Sequence, residues 1–201
     1  MAETDQDPRS VVMLDRLIAH LQAAGVVTEA ALRERMDAAA SASPRNGARL
    51  VAKAWTDPEF KDLLLRDGTA AAESFGFYPA GGPPLGVLEN TPSVHHLVVC
   101  TLCSCYPRWL LGYPPHWYKS FAYRARAARN PRALLEEWGM HFSRETEIRV
   151  VDSTADYRWM VLPMQPPQTL GWTNEELIEI VTADSLVGAD VIRFDAAKLS
   201  P

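Results

Sequence analysis

Apolar residues at Val11, Leu14, Leu17, Ile18 and Leu21 recur every three to four positions, and Gly25 follows them. That is the period of one helix face with a stop behind it, so the spacing predicts a helix over residues 10–24. Thr28 is placed to cap a second helix carrying Leu32 and Met36, which fades into the small residues 38–43. Arg45-Asn46-Gly47 reads as a turn, and a short helix through Leu50, Val51 and Trp55 follows. Asp57-Pro58 pairs an N-cap with a first-turn proline. The helix they open is expected to run through Phe60, Leu63 and Leu64 to Phe75, where Gly76 ends it. Short helices with one narrow apolar stripe are marginal alone. Residues 1–78 are therefore expected to form a helical arm that wraps a partner subunit.

Residues 79–84, a run of proline, glycine and alanine, read as a linker. Beyond it the period shortens. Leu85–Glu89 and Val94–Val99 are predicted strands, separated by the turn Asn90-Thr91-Pro92. Pro114-Pro115 opens a helix expected to reach Arg129, and Asn130-Pro131 opens another that closes at Gly139. Residues 147–151 and 158–162 are further strands. Thr173-Asn174-Glu175-Glu176 is a capping box that starts a helix to Thr182. The expected fold class is α/β: a helical arm, then a layered α-β-β-α domain over 85–189, then a loose tail at 190–201.

Composition narrows the picture. Hydrophobic residues make up 47% and charged residues 22% of the 201, an ordinary globular balance, and the formal charge of −5 argues against a general nucleic-acid binder. No apolar stretch approaches a membrane span, and residues 1–10 do not resemble a secretory signal. Three crowded cysteines make a poor disulfide framework, so a reducing, cytoplasmic setting is expected.

Those cysteines carry the chemistry. Cys100, Cys103 and Cys105 fall within six residues, directly after a predicted strand. Close neighbours rarely satisfy disulfide geometry, so the three thiols suit one ion held between them. Two coordination schemes follow. A zinc site would need a fourth ligand, for which His95 or His96 are the nearby candidates. Alternatively, the backbone nitrogens of Ser104 and Cys105 could bind once deprotonated. With two in-plane thiolates and one axial thiolate, they would suit a six-coordinate transition metal with one open position. That centre would be strongly anionic and would need positive charge nearby.

The segment Val99-Cys100-Thr101-Leu102-Cys103-Ser104-Cys105-Tyr106 resembles the metal claw of the nitrile hydratase alpha subunit family. Arg45-Asn46-Gly47-Ala48-Arg49, Glu89-Asn90-Thr91-Pro92, Tyr123-Arg124-Ala125-Arg126 and Arg158-Trp159-Met160-Val161-Leu162-Pro163 extend the likeness over nearly the whole chain. The resemblance implies a non-corrin cobalt(III) centre or, as the lesser alternative, iron(III). Thr101 and Tyr106 match the cobalt branch. It implies an axial Cys100 thiolate, in-plane Cys103 and Cys105 oxidised to sulfinate and sulfenate, and amide nitrogens from Ser104 and Cys105. It also implies a beta-type partner subunit whose arginines hold the oxidised sulfurs, and a metallochaperone or activator protein. The reaction would be hydration of a nitrile to its amide, with the metal as Lewis acid and the Cys105 sulfenate as nucleophile or base.

The chain departs from the family just past the claw. Arg108 and Trp109 stand where tryptophan and proline are usual. Arginine there resembles the thiocyanate hydrolase gamma subunit, whose substrate is an anion; a three-subunit nitrile hydratase of the toyocamycin type is a further relative. Arg108, Trp109 and Tyr118 are candidates for the substrate pocket, with pairing of Arg108 to a partner carboxylate as the alternative. A glycine-proline pair at 81–84 also replaces the polar residue usual in the family. The basic run of Lys119, Arg124, Arg126, Arg129 and Arg132 is expected to be a solvated or subunit-contacting face, with some of its charge balancing the centre. Arg158 is expected to support the interface. A zinc-holding, non-catalytic module is the alternative from another functional class.

Overall fold

The computed structural model describes residues 7–79, 81–103 and 105–193. Contacts divide the chain into two units, Met1–Ala40 and Ser41–Pro201. The first unit holds α1 (Pro8–Ala23) and most of α2 (Glu29–Ser41). Asp7 caps α1 by accepting the Arg9 N–H at 3.0 Å, and the Thr28 hydroxyl oxygen accepts the Ala31 N–H at 3.1 Å. Gly25 turns the chain out of α1 at φ +67. Met13, Leu14 and Leu17 of α1 are exposed, and α2 buries no residue.

The second unit begins with α3 (Pro44–Thr56), α4 (Pro58–Arg66) and α5 (Gly68–Ser74). These helices enter the same core as the strands: Leu50, Val51 and Leu64 are fully buried, and α4 and α5 pack against β1. Two sequence readings change here. Gly47 lies inside α3 and makes no turn. A Cβ at Gly47 would come within 2.5 Å of Leu111 and 2.7 Å of Leu186, so the glycine serves close packing. The single helix expected from Pro58 to Phe75 is broken at Asp67, whose carboxylate accepts the Ala70 N–H at 3.0 Å and caps α5. A second internal N-cap competes successfully with helix continuation there.

The strands are β1 (Leu85–Glu89), β2 (Val94–Val99), β3 (Glu147–Asp152) and β4 (Arg158–Leu162). β1 and β2 are consecutive in sequence but do not pair with each other. β1 runs parallel to β4, and β2 runs parallel to β3 with Val99 opposite Asp152. In sequence, β2 and β3 are separated by α6 (Arg108–Leu111), α7 (His116–Lys119), α8 (Phe121–Arg129) and α9 (Pro131–Glu137). The single helix expected over 115–129 is split at Ser120, which accepts the Tyr123 N–H at 3.1 Å and caps α8. α8 packs on β2 and α9 on β3, so helices cover strand pairs and the layered expectation holds. α10 (Asn174–Ile180) opens with the expected capping box between Thr173 and Glu176 and packs on α3. Of the expected tail, residues 194–201 lie outside the described residues.

One side chain locks the ends of these ribbons together. Buried Asn90 accepts the His96 N–H at 2.8 Å through its carbonyl, which also lies 3.2 Å from His96 Nδ1. Its amide nitrogen lies 3.0 Å from His95 Nδ1, and His95 Nε2 lies 2.8 Å from the Gly188 carbonyl. An amide that donates to Nδ1 leaves Nε2 as the protonated nitrogen, so His95 is neutral and donates to Gly188. Burial lowers the pKa of both histidines.

Two outcomes follow. Gly188 sits at φ +74, with an added Cβ only 1.8 Å from the His96 carbonyl oxygen. Gly188→Ala should lower unfolding free energy by roughly 2–5 kcal/mol, read by denaturant titration. Because both folded histidines have depressed pKa values, the unfolded chain binds more protons. The contribution is full above pH 6.5, the ordinary histidine value, and declines as pH falls below it. In His95→Gln, the loss of melting temperature between pH 7 and 5 should shrink; an unchanged slope would contradict the assignment.

Candidate metal centre

β2 delivers the cysteines. Its last residues, Leu97, Val98 and Val99, are fully buried, and Cys100 continues the buried path before the backbone emerges into solvent. Thr101 and Cys103 are exposed, and Leu102 is 89% exposed. The chain then returns inward at Tyr106, which is buried edge-on against Tyr118 at 5.1 Å. A tight excursion between two buried anchors puts three sulfurs on one side of a short arc. The Cys100 and Cys103 sulfurs are 3.2 Å apart and the Cys103 and Cys105 sulfurs 3.0 Å apart, with all three within 4.8 Å of one another. None is in a disulfide.

Sulfurs this close can share one ion. The zinc alternative lacks its fourth ligand: among the described residues, no histidine or carboxylate joins the cysteine group. His95 and His96, both expected as candidates, are held by Asn90 and Gly188. Ser104, expected to give a backbone nitrogen, lies outside the described residues.

Positive charge lies where an anionic centre needs it. Burial and the hydrogen bond with Cys103 push the Cys105 thiol up to about 12, while the Arg158 guanidinium pulls it down. Arg158 stands at the start of β4. Its Nη1 is buried with no hydrogen-bond partner among the described residues. A buried guanidinium N–H is costly unless paired, and an oxygen or sulfur anion beside Cys105 would pair it. On this test the residues present fit a trithiolate metal centre.

The other expected residues take distinct places. Tyr118 is fully buried, and its hydroxyl donates to the Cys105 carbonyl at 2.8 Å, so it supports the loop from beneath. Arg108 is exposed, its guanidinium 4.2 Å over the Tyr113 ring. Trp109 is half-buried and edge-on to Tyr78 at 5.0 Å; its Nε1 is buried with no partner among the described residues. The Tyr78 hydroxyl donates to Gly82, joining the end of the helical segment to the 79–84 linker. Of the basic run, Arg126 pairs with Glu137, Arg132 donates to the carbonyls of Ser143 and Thr146, and Arg124 donates to Thr101 at 3.3 Å. Asp152, which sequence reasoning missed, accepts both the N–H and the hydroxyl of Thr101. Only the register of β2 on β3 reveals it.

Comparison with known proteins follows the same lines. A family model described as "Nitrile hydratase, alpha chain" matches residues 9–190. The low-molecular weight cobalt-containing nitrile hydratase subunit alpha of Rhodococcus rhodochrous is 52% identical over 148 residues, covering 74% of this chain and 72% of that protein. The thiocyanate hydrolase subunit gamma of Thiobacillus thioparus is 46% identical over 159 residues, covering 74% and 65%. Among solved structures, a double mutant of the Fe-type nitrile hydratase from Comamonas testosteroni Ni1 superposes with TM-score 0.76 at 42% identity, covering 93% of this chain and 92% of that one. From its first helix to the segment beyond Gly188, the chain belongs to the nitrile hydratase alpha-chain family.

Proposed function

We propose that this chain is the metal-binding subunit of a cobalt nitrile hydratase, working with a beta-type partner to convert a nitrile into its amide. The observation that carries the reading is the set of three thiols within 4.8 Å of one another on one short arc, with the charge of Arg158, whose buried Nη1 has no hydrogen-bond partner among the described residues, acting on Cys105. The Cys100, Cys103 and Cys105 thiolates and the backbone nitrogens of Ser104 and Cys105 would hold a non-corrin cobalt(III) ion. The 52% identity to a cobalt-containing relative supports cobalt over iron. When bound, the ion supplies Lewis acidity toward the nitrile.

The rest of the chemistry falls to the chain. Cys105, as a sulfenate, presents an oxygen that attacks the nitrile carbon or takes the proton of the attacking water. Cys103, as a sulfinate, adds negative charge that Arg158 and the partner's arginines balance. Buried Cys100 shields the inner side of the centre from water, while the exposed arc leaves the outer side open to substrate. If the sulfenate acts as base, the water oxygen goes to carbon. If it acts as nucleophile, its own oxygen goes to carbon, the sulfur–oxygen bond breaks and the water oxygen restores the sulfenate. By either route both protons of the water end on nitrogen.

The partner is proposed to cover the exposed face of the loop. The amino-terminal helical arm is proposed to wrap that partner, and exposed Met13, Leu14 and Leu17 support this. A metallochaperone or activator would load the site. No helix among the described residues is long and apolar enough to cross a membrane, and cytoplasmic residence is part of the proposal.

Arg108 favours a second reading, a thiocyanate hydrolase gamma subunit. An exposed guanidinium three residues past Cys105 suits an anionic substrate, and such a subunit is 46% identical to this chain.

Three tests apply to the purified complex. Metal analysis should find about one cobalt per chain with a sulfur-to-cobalt charge-transfer band; a colourless zinc protein would sink the reading. Cys105→Ala should lower nitrile turnover by more than about 1000-fold while leaving far-UV circular dichroism intact. Arg108→Trp should change the ratio of nitrile to thiocyanate kcat/KM by about tenfold or more; identical constants would remove Arg108 from the pocket.

A further inference from the structure

The loop that carries the sulfurs has little backbone support of its own. Among the described residues between Cys100 and Cys105 none belongs to a strand, and the Cys103 N–H points at the Cys100 sulfur at 3.3 Å. Thr101 and Cys103 are exposed, and Leu102 between them is 89% exposed. Such a segment should wander unless something outside it fixes its course.

The fixing comes from the neighbouring strand. β2 and β3 run parallel with Val99 opposite Asp152, and the Ser153 N–H donates to the Val99 carbonyl at 2.7 Å. The ladder therefore ends where the loop begins. One residue beyond that point, the Asp152 carboxylate accepts the Thr101 N–H through Oδ1 at 3.0 Å and the Thr101 hydroxyl through Oδ2. Two bonds from one rigid carboxylate set the Thr101 peptide plane and side chain together. The Thr101 carbonyl is taken by Arg124 Nη1 at 3.3 Å, so every polar group of this exposed residue is engaged from outside the loop. At the far limb, Tyr118 holds the Cys105 carbonyl at 2.8 Å.

We propose that Asp152 is a positioning residue for the metal centre: by gripping Thr101 it sets the limb between Cys100 and Cys103 at ion-binding spacing. Geometry, not charge, is what Asp152 contributes. Asparagine at 152 could accept the Thr101 N–H and donate to its hydroxyl oxygen, keeping both bonds without the charge. Fixing the limb in advance removes an ordering cost that would otherwise weaken metal binding. The inference rests on the metal-centre reading of the cysteines.

The test is anaerobic titration of the metal-free complex, cysteines reduced, with cobalt(II) alone, followed by the sulfur-to-cobalt charge-transfer absorption. Wild type should bind one equivalent; if it binds none, the metal-centre reading itself fails. Given wild-type binding, Asp152→Ala should weaken cobalt affinity by about 10–100-fold, and Asp152→Asn should remain within about threefold of wild type. Thr101→Val, at an exposed position that leaves the fold alone, should lie between them and covers the case in which Asp152→Ala does not fold. Unchanged affinity in Asp152→Ala, or in Thr101→Val where the former is insoluble, overturns the proposal. Equal losses in Asp152→Ala and Asp152→Asn overturn it too, since they would assign the effect to charge.

Discussion

The parallel pairing of β2 with β3 is the constraint on which the site depends. It buries Leu97, Val98 and Val99 and brings the chain to the surface at Cys100. It also puts Asp152 beside Thr101, although the two are 51 residues apart. Without that register the three cysteines would sit on a six-residue segment with no anchor at Thr101. With it, their sulfurs converge to 3.0–3.2 Å. Behind the strand, Tyr118 and Tyr123 form a buried aromatic floor whose hydroxyls hold the carbonyls of Cys105 and Val98 at 2.8 and 2.6 Å. The loop is thus gripped by hydrogen bonds at its two limbs, while its crest stays open.

Electrostatics complete the arrangement. Crowded thiols resist ionisation, and burial of Cys105 adds to that resistance. Arg158 acts in the other direction from its place at the start of β4. A metal ion would replace the protons and reverse the local balance. Both strand pairs therefore contribute: β2 carries the sulfurs, and β4 carries a compensating charge.

Much of this was legible in the sequence. The four strands fall where alternation and turn residues put them, and the Thr173–Glu176 capping box forms as its spacing requires. The cysteine spacing argued against disulfides and pointed to one shared ion. Illegible features were those set by partners distant in the chain. Asp67 and Ser120 look like ordinary polar positions inside helical patterns, and only the caps they form reveal the breaks. Tyr118 reads as a pocket residue until its hydroxyl is seen on the Cys105 carbonyl. Asp152 and Arg158 acquire meaning only through strand pairing, which local periodicity does not encode.

Gly47 shows how far the site's requirements reach. Its single hydrogen admits Leu111, at the end of the helix that follows the claw, and Leu186, two residues before the glycine pressed against β2. One missing methyl group in α3 thus seats both the segment leaving the metal loop and the segment bracing its strand. A mutational survey confined to the neighbourhood of the cysteines would miss this position. Yet an alanine there would press on the side-chain ends of Leu111 and Leu186 at once, so two segments that flank the site would have to adjust to one added methyl group.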